Sequence, residues 1–323
     1  MILHEKEEEF EELVEATSVY FNIPSVYIEK DYWVTYVLKN ISNSDYFNTV
    51  IFKGGTSLSK AYKLLDRFSE DIDLAIITDD LTGGQIKTLI KNIEKNILDM
   101  NFKEVVTPQT SKGSKFRKTV HQYPQFIDGN FGHANENLIL ELNSFAQPHP
   151  FNEKSLSTYI YDFLIIQSQE AQKLIKEYKL EPFNINVLDY RRTFCEKLSA
   201  IARASFESDE NNSQLKEKIR HFYDIYFLMQ EDNIKTFIES TDFIDMIKKV
   251  RLDDQEQFNS NDWAQISLHS TKIFKNSQVI LDGLKHFYEN DFKSLVYSKT
   301  IPSIEKIQIE IETLSKILKI KNL

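Results

Sequence analysis

One stretch restricts the possible folds more than any other. In residues 52–74, FKGGTSLSKAYKLLDRFSEDIDL, an apolar strand runs into a Gly-Gly turn, a helix-forming segment follows, and a second strand carries two aspartates separated by one isoleucine. The glycines match neither the dinucleotide turn G-x-G-x-x-G nor the phosphate loop G-x-x-x-x-G-K-[ST]. Glycine beside a strand permits close backbone approach, and the start of the following helix offers free N–H groups to an anion. In a strand, residues i and i+2 point to the same side about 6.6 Å apart. Asp71 and Asp73 therefore face one site while Ile72 and Leu74 face the core. Like charges so close repel, which raises a pKa or recruits a cation. Two aspartates sharing Mg²⁺ is the ordinary arrangement for handling nucleotide phosphates.

Around this stretch the chain alternates helix and strand signals. Phe10, Leu13, Val14 and Thr17 keep helical spacing between glutamates, and a second helix follows the NIPS break with Ser25 as its cap. NTVIF reads as a strand ending at the glycines, TSLSKAYKLLDRF as a helix capped by Thr56 or Ser57, and DIDLAII as the next strand. TDDLTGG is a turn, QIKTLIKNIEKNILDM a helix, and residues 102–144 read as strands and loops ending in the strand NLILELNSF. AQPHPFNE, with two prolines and no periodicity, sets an expected domain boundary near residue 150. Beyond Glu170 helices dominate, and in the last of them Ile304, Ile307, Ile311, Leu314 and Leu318 repeat at three and four, a core-packing pattern. The expected fold is α+β: a mixed sheet flanked by helices over residues 1–150, then a mainly helical domain over 151–323.

The 323 residues are 41% hydrophobic, enough for a sizeable core, and no apolar run approaches the roughly 20 residues that a membrane span needs. With no signal-peptide pattern at the start, the expected compartment is the cytoplasm. The one cysteine, Cys195, excludes an internal disulfide and a multi-cysteine zinc site. The histidines show no H-x-x-x-H or H-E-x-x-H spacing, which argues against a zinc hydrolase. A net charge of −10 argues against wholesale wrapping of nucleic acid, so any RNA must be captured locally. The one dense basic segment of the first half is SKGSKFRKTVHQYPQF, where Lys115, Arg117 and Lys118 are the expected RNA contacts.

Strand, Gly-Gly, small hydroxyl residue, helix, and then a strand bearing D-h-D resembles the polymerase-beta-like nucleotidyltransferase superfamily. The gap from Gly55 to Asp71 is longer than is usual there. That gap and four stretches resemble the AbiEii/AbiGii-type toxins of abortive-infection and toxin–antitoxin systems, also described as MenT-like nucleotidyltransferases. The stretches are IEKDYWVTYVL at 28–38, FKGGTSLSKAY at 52–62, RFSEDIDL at 67–74, and the pair TFCEKLSAI at 193–201 with RHFYDIYFL at 220–228.

The resemblance implies a nucleotide-binding turn at Gly54, Gly55 and Thr56 or Ser57, and a second motif on Ser69, Asp71 and Asp73, in which the two aspartates hold the metal and Ser69 meets the nucleotide. It places the functional lysine of the third motif on Lys197 and the aspartate of the fourth on Asp224. His221 stands where members often carry an aspartate. Two of these assignments have support from the residues themselves. Lys197 flanks the apolar stripe Phe194, Leu198, Ile201, and Asp224 lies among aromatic and aliphatic neighbours, where a carboxylate needs a partner to offset desolvation. Lys197 is the partner expected. Glu141 points opposite to Leu140 and Leu142 and could be the third carboxylate that superfamily members often carry, acting as general base. Lys53 and Arg67 flank the two motifs and are expected to meet phosphate.

The implied activity is Mg²⁺- or Mn²⁺-dependent transfer of NMP from an NTP to RNA, such as a tRNA 3′ end, by a toxin with a cognate antitoxin. Two rivals from other classes are a nucleotide- or antitoxin-binding module that has lost transfer and a kinase. A nuclease would want E-x-K where this chain reads ELN at 141–143.

Overall fold

The structure, a computed structural model, describes residues 2–69, 71–132, 134–209, 211–258, 263, 265–298 and 300–323. The chain divides into two compact units, Met1–Lys63 with Phe68–Leu188, and Leu64–Arg67 with Asp189–Leu323.

The first unit is built on one mixed sheet, with eight strands among the described residues. In chain order these are β1 (Val50–Lys53), β2 (Asp71–Ile76), β3 (Lys103–Val105), β4 (Ser111–Lys112), β5 (Phe116–Gln122), β6 (Leu138–Asn143), β7 (Phe151–Leu156) and β8 (Phe183–Leu188). Their spatial order is β3-β5-β6-β2-β1-β8-β7, with β4 pairing on β5. β2 runs antiparallel to β1 and parallel to β6. β8 pairs parallel with β1 and antiparallel with β7. The α+β class expected from the sequence is the one observed.

The boundary is not where the prolines place it. β7 begins at Phe151, directly after Pro150, and β7 and β8 both belong to the sheet, so the first unit runs to Leu188. The prolines mark a loop between two strands of one sheet.

Alternation within β2 gives the sheet two unlike faces. Ile72 and Leu74 are fully buried, whereas Asp71 and Asp73 are half-exposed. In the same unit, α1 (Glu7–Phe21), α2 (Ser25–Ser42), α3 (Gly54–Lys60) and α4 (Gly83–Ile97) precede or interleave the first strands. The apolar stripe of α4, Ile86, Ile90, Ile93 and Ile97, is buried. Its Glu94 accepts hydrogen bonds from Arg117 and Thr119 of β5 on the face that Ile72 and Leu74 share. α5 (Tyr159–Leu164) and α6 (Gln169–Glu177) connect β7 to β8.

α2 explains its own sequence. Glu29, Lys30 and Asp31 are consecutive charged residues and all three are buried. Isolated buried charge is costly, so each must be paired. Glu29 accepts from the backbone N–H of Phe126 (2.8 Å) and Ile127 (3.3 Å). Lys30 donates to the carbonyls of Asn135 and Asn137, the latter at 2.8 Å, immediately before β6. Asp31 pairs with Lys60 at the end of α3 and accepts from Tyr159 N at the start of α5. Tyr27, one turn earlier, stacks on Phe68 with ring centroids 3.9 Å apart, just before the aspartate strand. The stretch thus anchors the approaches to the two strands that carry carboxylates.

Burial pushes Glu29 from 4.5 up to about 7, with the two N–H donors offsetting part of the rise. A carboxyl whose folded pKa is raised contributes stability that is complete below its unfolded pKa and is lost as pH climbs through the folded one. The stability of wild type relative to Glu29→Gln is therefore expected to fall between pH 4.5 and about 7, on the order of 1–3 kcal/mol, and then to level off. Chemical denaturation at pH 4.5, 6 and 8 checks this, and a pH-independent difference contradicts it.

The second unit is helical among its described residues. Its helices are α7 (Tyr190–Glu207), α8 (Ser213–Glu217), α9 (Ile219–Gln230), α10 (Asp232–Glu239), α11 (Thr241–Phe258), α12 (Lys272–Lys275), α13 (Ser277–Asn290) and α14 (Ile304–Ile320). The predicted stripe Ile304, Ile307, Ile311, Leu314, Leu318 is buried, and α14 packs on α9, α12 and α13. The excursion Leu64–Arg67 joins this unit through a bridge between Arg67 and Val296.

Candidate active site

β1 ends at Lys53, and the chain turns at Gly54 with φ +77°, a left-handed conformation that glycine adopts without strain. The turn is tight against β2. A Cβ on Gly54 would lie 2.0 Å from Asp73 Oδ2 and 3.0 Å from Asp73 Cβ. The first of the paired glycines therefore makes room for a carboxylate of the site itself, a role that the sequence reading reserved for phosphate.

The helix that follows, α3, begins at Gly54 and ends at Lys60, shorter than the segment to Phe68 read from sequence. Thr56 and Ser57 lie inside it and are not its caps. The single hydroxyl proton of Thr56 goes to the Asp71 carbonyl (2.6 Å), so Ser69 is the donor in the 2.7 Å Thr56–Ser69 contact. Ser57 donates to the Gly54 carbonyl at 2.9 Å. Both hydroxyls are buried and both fix backbone: Thr56 and Ser69 hold the start of β2, and Ser57 holds the glycine turn.

Directly opposed residues of neighbouring strands point to the same face. Lys53 opposes Asp73, Asp73 opposes Glu141, and Glu141 opposes Lys118. The face thus carries the row Lys53, Asp73, Glu141, Lys118 across four strands spaced about 4.8 Å apart. Asp71 lies two residues along β2 on that face, opposite Ile139. Past the row, the face closes with an apolar cluster of Ile51, Ala75 and Leu188, with Ile77 and Phe151 against it.

Lys118 Nζ sits 2.6 Å from Glu141 Oε1. Burial pulls the ammonium of Lys118 down, but Glu141, by charge and hydrogen bond, and Asp71 and Asp73, by charge, together hold it above the ordinary lysine value. The donor set on this face consists of hard carboxylate oxygens, which fits Mg²⁺ or Mn²⁺. Among the described residues, no three His, Cys, Asp or Glu side chains are gathered as metal ligands. The third carboxylate in register is engaged by Lys118.

The basic segment expected at RNA is divided by strand alternation. Lys118 joins the carboxylate row, Arg117 pairs with Glu94 on the opposite face, and Lys115 lies over the Phe145 ring at 5.9 Å.

Lys197 and Asp224 belong to the second unit and form the pair expected from sequence. Lys197 Nζ is 2.7 Å from Asp224 Oδ2, and both side chains are buried. The larger partner was missed. Arg67 grips Asp224 with two parallel bonds, Nε to Oδ1 at 2.6 Å and Nη2 to Oδ2 at 2.7 Å, and is 3% exposed. The guanidinium expected beside phosphate is thus committed to a buried carboxylate, and its signal in the sequence was only an arginine ahead of the aspartate strand. Burial alone would raise the Asp224 pKa, yet the charges and hydrogen bonds of Arg67 and Lys197 hold it well below the ordinary carboxylate range. His221 Nδ1 lies 3.4 Å from Lys197 Nζ. Burial, with the charges of Lys197 and Lys218, pushes His221 well below its usual pKa. A neutral ring accepts from the ammonium at Nδ1 and carries its proton on Nε2.

The model of the AbiEii nucleotidyl transferase toxins, of type IV toxin–antitoxin systems, matches residues 36–303. The chain belongs to the AbiEii family. Among solved structures, the nucleotidyltransferase toxin MenT4 from Mycobacterium tuberculosis H37Rv is similar at TM-score 0.55 and 15% identity, over 95% of this chain and 89% of that one. At that identity the likeness concerns the fold. A putative nucleotidyltransferase from Helicobacter pylori (TM-score 0.44, 15% identity, 91% of this chain and 94% of that one) is more distant. So is JHP933 from the same organism (TM-score 0.41, 15% identity, 91% and 90%). No curated protein matches the sequence. In AbiEii terms, the long gap between the glycine turn and the aspartates contains the four-residue excursion Leu64–Arg67 that delivers Arg67 to Asp224.

Proposed function

We propose that this AbiEii protein transfers an NMP unit from an NTP to an RNA 3′ hydroxyl, with a tRNA end as the acceptor and a cognate antitoxin as its partner in a cytoplasmic defence system. The observation that carries the reading is the strand register that sets Asp71, Asp73 and Glu141 on one face, beside a glycine whose missing Cβ leaves room for Asp73. No helix among the described residues is long and apolar enough to cross a membrane.

Asp71 and Asp73 would hold Mg²⁺ or Mn²⁺, which when bound polarises the α-phosphate and neutralises charge on the leaving pyrophosphate. The acceptor oxygen bonds to the α-phosphorus as the bridging P–O bond to the β-phosphate breaks, and pyrophosphate departs with the bonding pair. Glu141, in register with Asp73, would take the proton of the attacking hydroxyl. Lys53, in register on the other side of Asp73, supplies positive charge to the same face. Gly55, Thr56, Ser57 and Ser69 shape the turn against which the triphosphate is proposed to lie. Lys197 and Asp224, buried and mutually bound, remain proposed catalytic residues on the strength of the third and fourth family motifs.

The test incubates purified protein and total RNA with each NTP labelled at the α- or γ-phosphate. Label is expected to enter RNA 3′ ends from the α-position only, with release of pyrophosphate. Transfer of γ-label with release of NDP means a kinase, and no transfer of either label leaves a binding module. Asp71→Asn is expected to reduce transfer at least about a hundredfold with the melting temperature nearly unchanged.

A further inference from the structure

α4 has two unlike sides. Ile86, Ile90, Ile93 and Ile97 are buried, and its one acidic residue, Glu94, is bonded to Arg117 and Thr119 of β5 on the sheet face opposite to the carboxylate row. The outward side carries Lys87, Lys91 and Lys95, all exposed. Among the described residues, none of these three side chains is in an ion pair or a hydrogen bond. Their spacing of four residues lines them up about 6 Å apart along the helix. Like charges so placed repel and destabilise a helix, and no acidic residue on the outward side offsets them. Asp79, Asp80 and Asp99 stand beyond the two ends of the helix, Asp79 accepting from Gln147 and Asp99 from Tyr36. Beside the stripe, Leu81, Gly84, Gln85, Thr88, Leu89 and Asn92 line a shallow groove of about 430 Å³, again without a carboxylate. The basic segment legible in the sequence is split up by strand alternation, whereas these three lysines, spread over nine residues, are brought into line by the helix.

We infer that the outward side of α4 is an RNA surface, on which Lys87, Lys91 and Lys95 hold the phosphates of the acceptor's body while the carboxylate row acts on its end. Lysine is a mobile point charge that binds phosphate without reading sequence, and in a chain of net charge −10 such capture must be local. The regular interval, close to that of successive phosphates along a strand, and the polar groove beside it favour RNA over an acidic protein, whose carboxylates have no fixed repeat. The inference rests on the RNA-acceptor reading above and goes beyond it in stating where the RNA is held. Because the stripe lies on the side of the sheet away from the row, its role is separate from binding the triphosphate.

The test measures binding of bulk tRNA, labelled with a fluorophore at its 5′ end, to the full chain without NTP, by anisotropy from about 50 to about 200 mM salt. The triple variant K87Q/K91Q/K95Q is expected to bind about tenfold more weakly in the middle of that range. Its slope of log affinity against log salt is expected to be shallower by about 2 to 3, since each lost phosphate contact removes about 0.7 to 0.9. Glutamine matches lysine in helix propensity, so the melting temperature should stay near that of wild type. The control K306Q/K316Q/K319Q removes three exposed lysines from α14 and the same net charge, and is expected to bind within about twofold of wild type. The inference is overturned if K87Q/K91Q/K95Q binds as wild type does with an unchanged slope, which leaves the stripe to an acidic protein surface. It is also overturned if the two triple variants weaken binding equally, which makes the effect one of net charge. In both cases wild type still binds tRNA and the acceptor reading stands. If wild type binds neither bulk tRNA nor total RNA, the acceptor reading and the inference fall together.

Discussion

Replacing Gly54 with alanine is expected to reduce nucleotidyl transfer by about a hundredfold or more, while lowering stability by only about 1–3 kcal/mol. The stability cost comes from forcing an L-residue to φ +77°. The loss of activity has a separate origin. The new methyl would sit 2.0 Å from Asp73 Oδ2 and 3.0 Å from Asp73 Cβ, so rotating the carboxylate away does not relieve the overlap and the side chain must move with its backbone. Displacement of a reacting constellation by about 1 Å is worth roughly a hundredfold in rate. The check compares transfer kinetics with thermal melts. Activity within threefold of wild type in a folded variant would show that the position of Asp73 does not matter to the reaction.

Asp224→Asn is expected to destabilise the protein by about 3–5 kcal/mol, the largest loss in stability foreseen for any single change at these sites. It keeps the shape of the side chain but removes the negative charge that Asp224 sets against the buried guanidinium of Arg67 and the buried ammonium of Lys197. Lys197→Met is expected to cost less, because Arg67 retains its two-point grip on Asp224, and the double change to cost less than the sum of the two. The pH dependence follows in sign. Asp224 has a folded pKa below its unfolded one, so its contribution is present above about pH 4 and is lost as pH falls through the lower folded value. The gap between wild type and variant should therefore stay level from pH 8 to about 5 and narrow in stronger acid. Equal denaturation midpoints for the two proteins at pH 7 would falsify the pairing.

Much of this was legible in the sequence because strand alternation is a strict rule. The spacing of Asp71 and Asp73, and the parity of Glu141 within LILELN, are enough to place the carboxylates away from the core. Their union on one face required the parallel pairing of β2 with β6, which a single strand does not encode. The same rule, applied to FRKTVHQ, would have separated Arg117 from Lys118, since adjacent residues of a strand point to opposite faces. Asp224 announced its need for a partner through its apolar surroundings, but which cation supplies most of the compensation is a long-range matter. Arg67 is 157 residues away in sequence. β8, in FNINVL, was hidden because its polar residues lie within a six-residue strand, Asn186 donating to the Phe47 carbonyl at 3.0 Å, a satisfaction invisible before folding. The prolines near residue 150 report a local turn, and local turns do not by themselves end a domain.

The four residues Leu64–Arg67 also constrain the order of events during synthesis. A nascent chain emits Arg67 long before α9, so its two-point bond to Asp224 cannot form until Asp224 has been made. Loop closure over that span precedes any gain from the contact, which is the entropic signature of slow, non-local folding. The second unit therefore cannot be read as an autonomous cassette appended to the first. Its interior is completed by a segment borrowed from the middle of its predecessor, and a ribosome must deliver both before the bond between Arg67 and Asp224 can close.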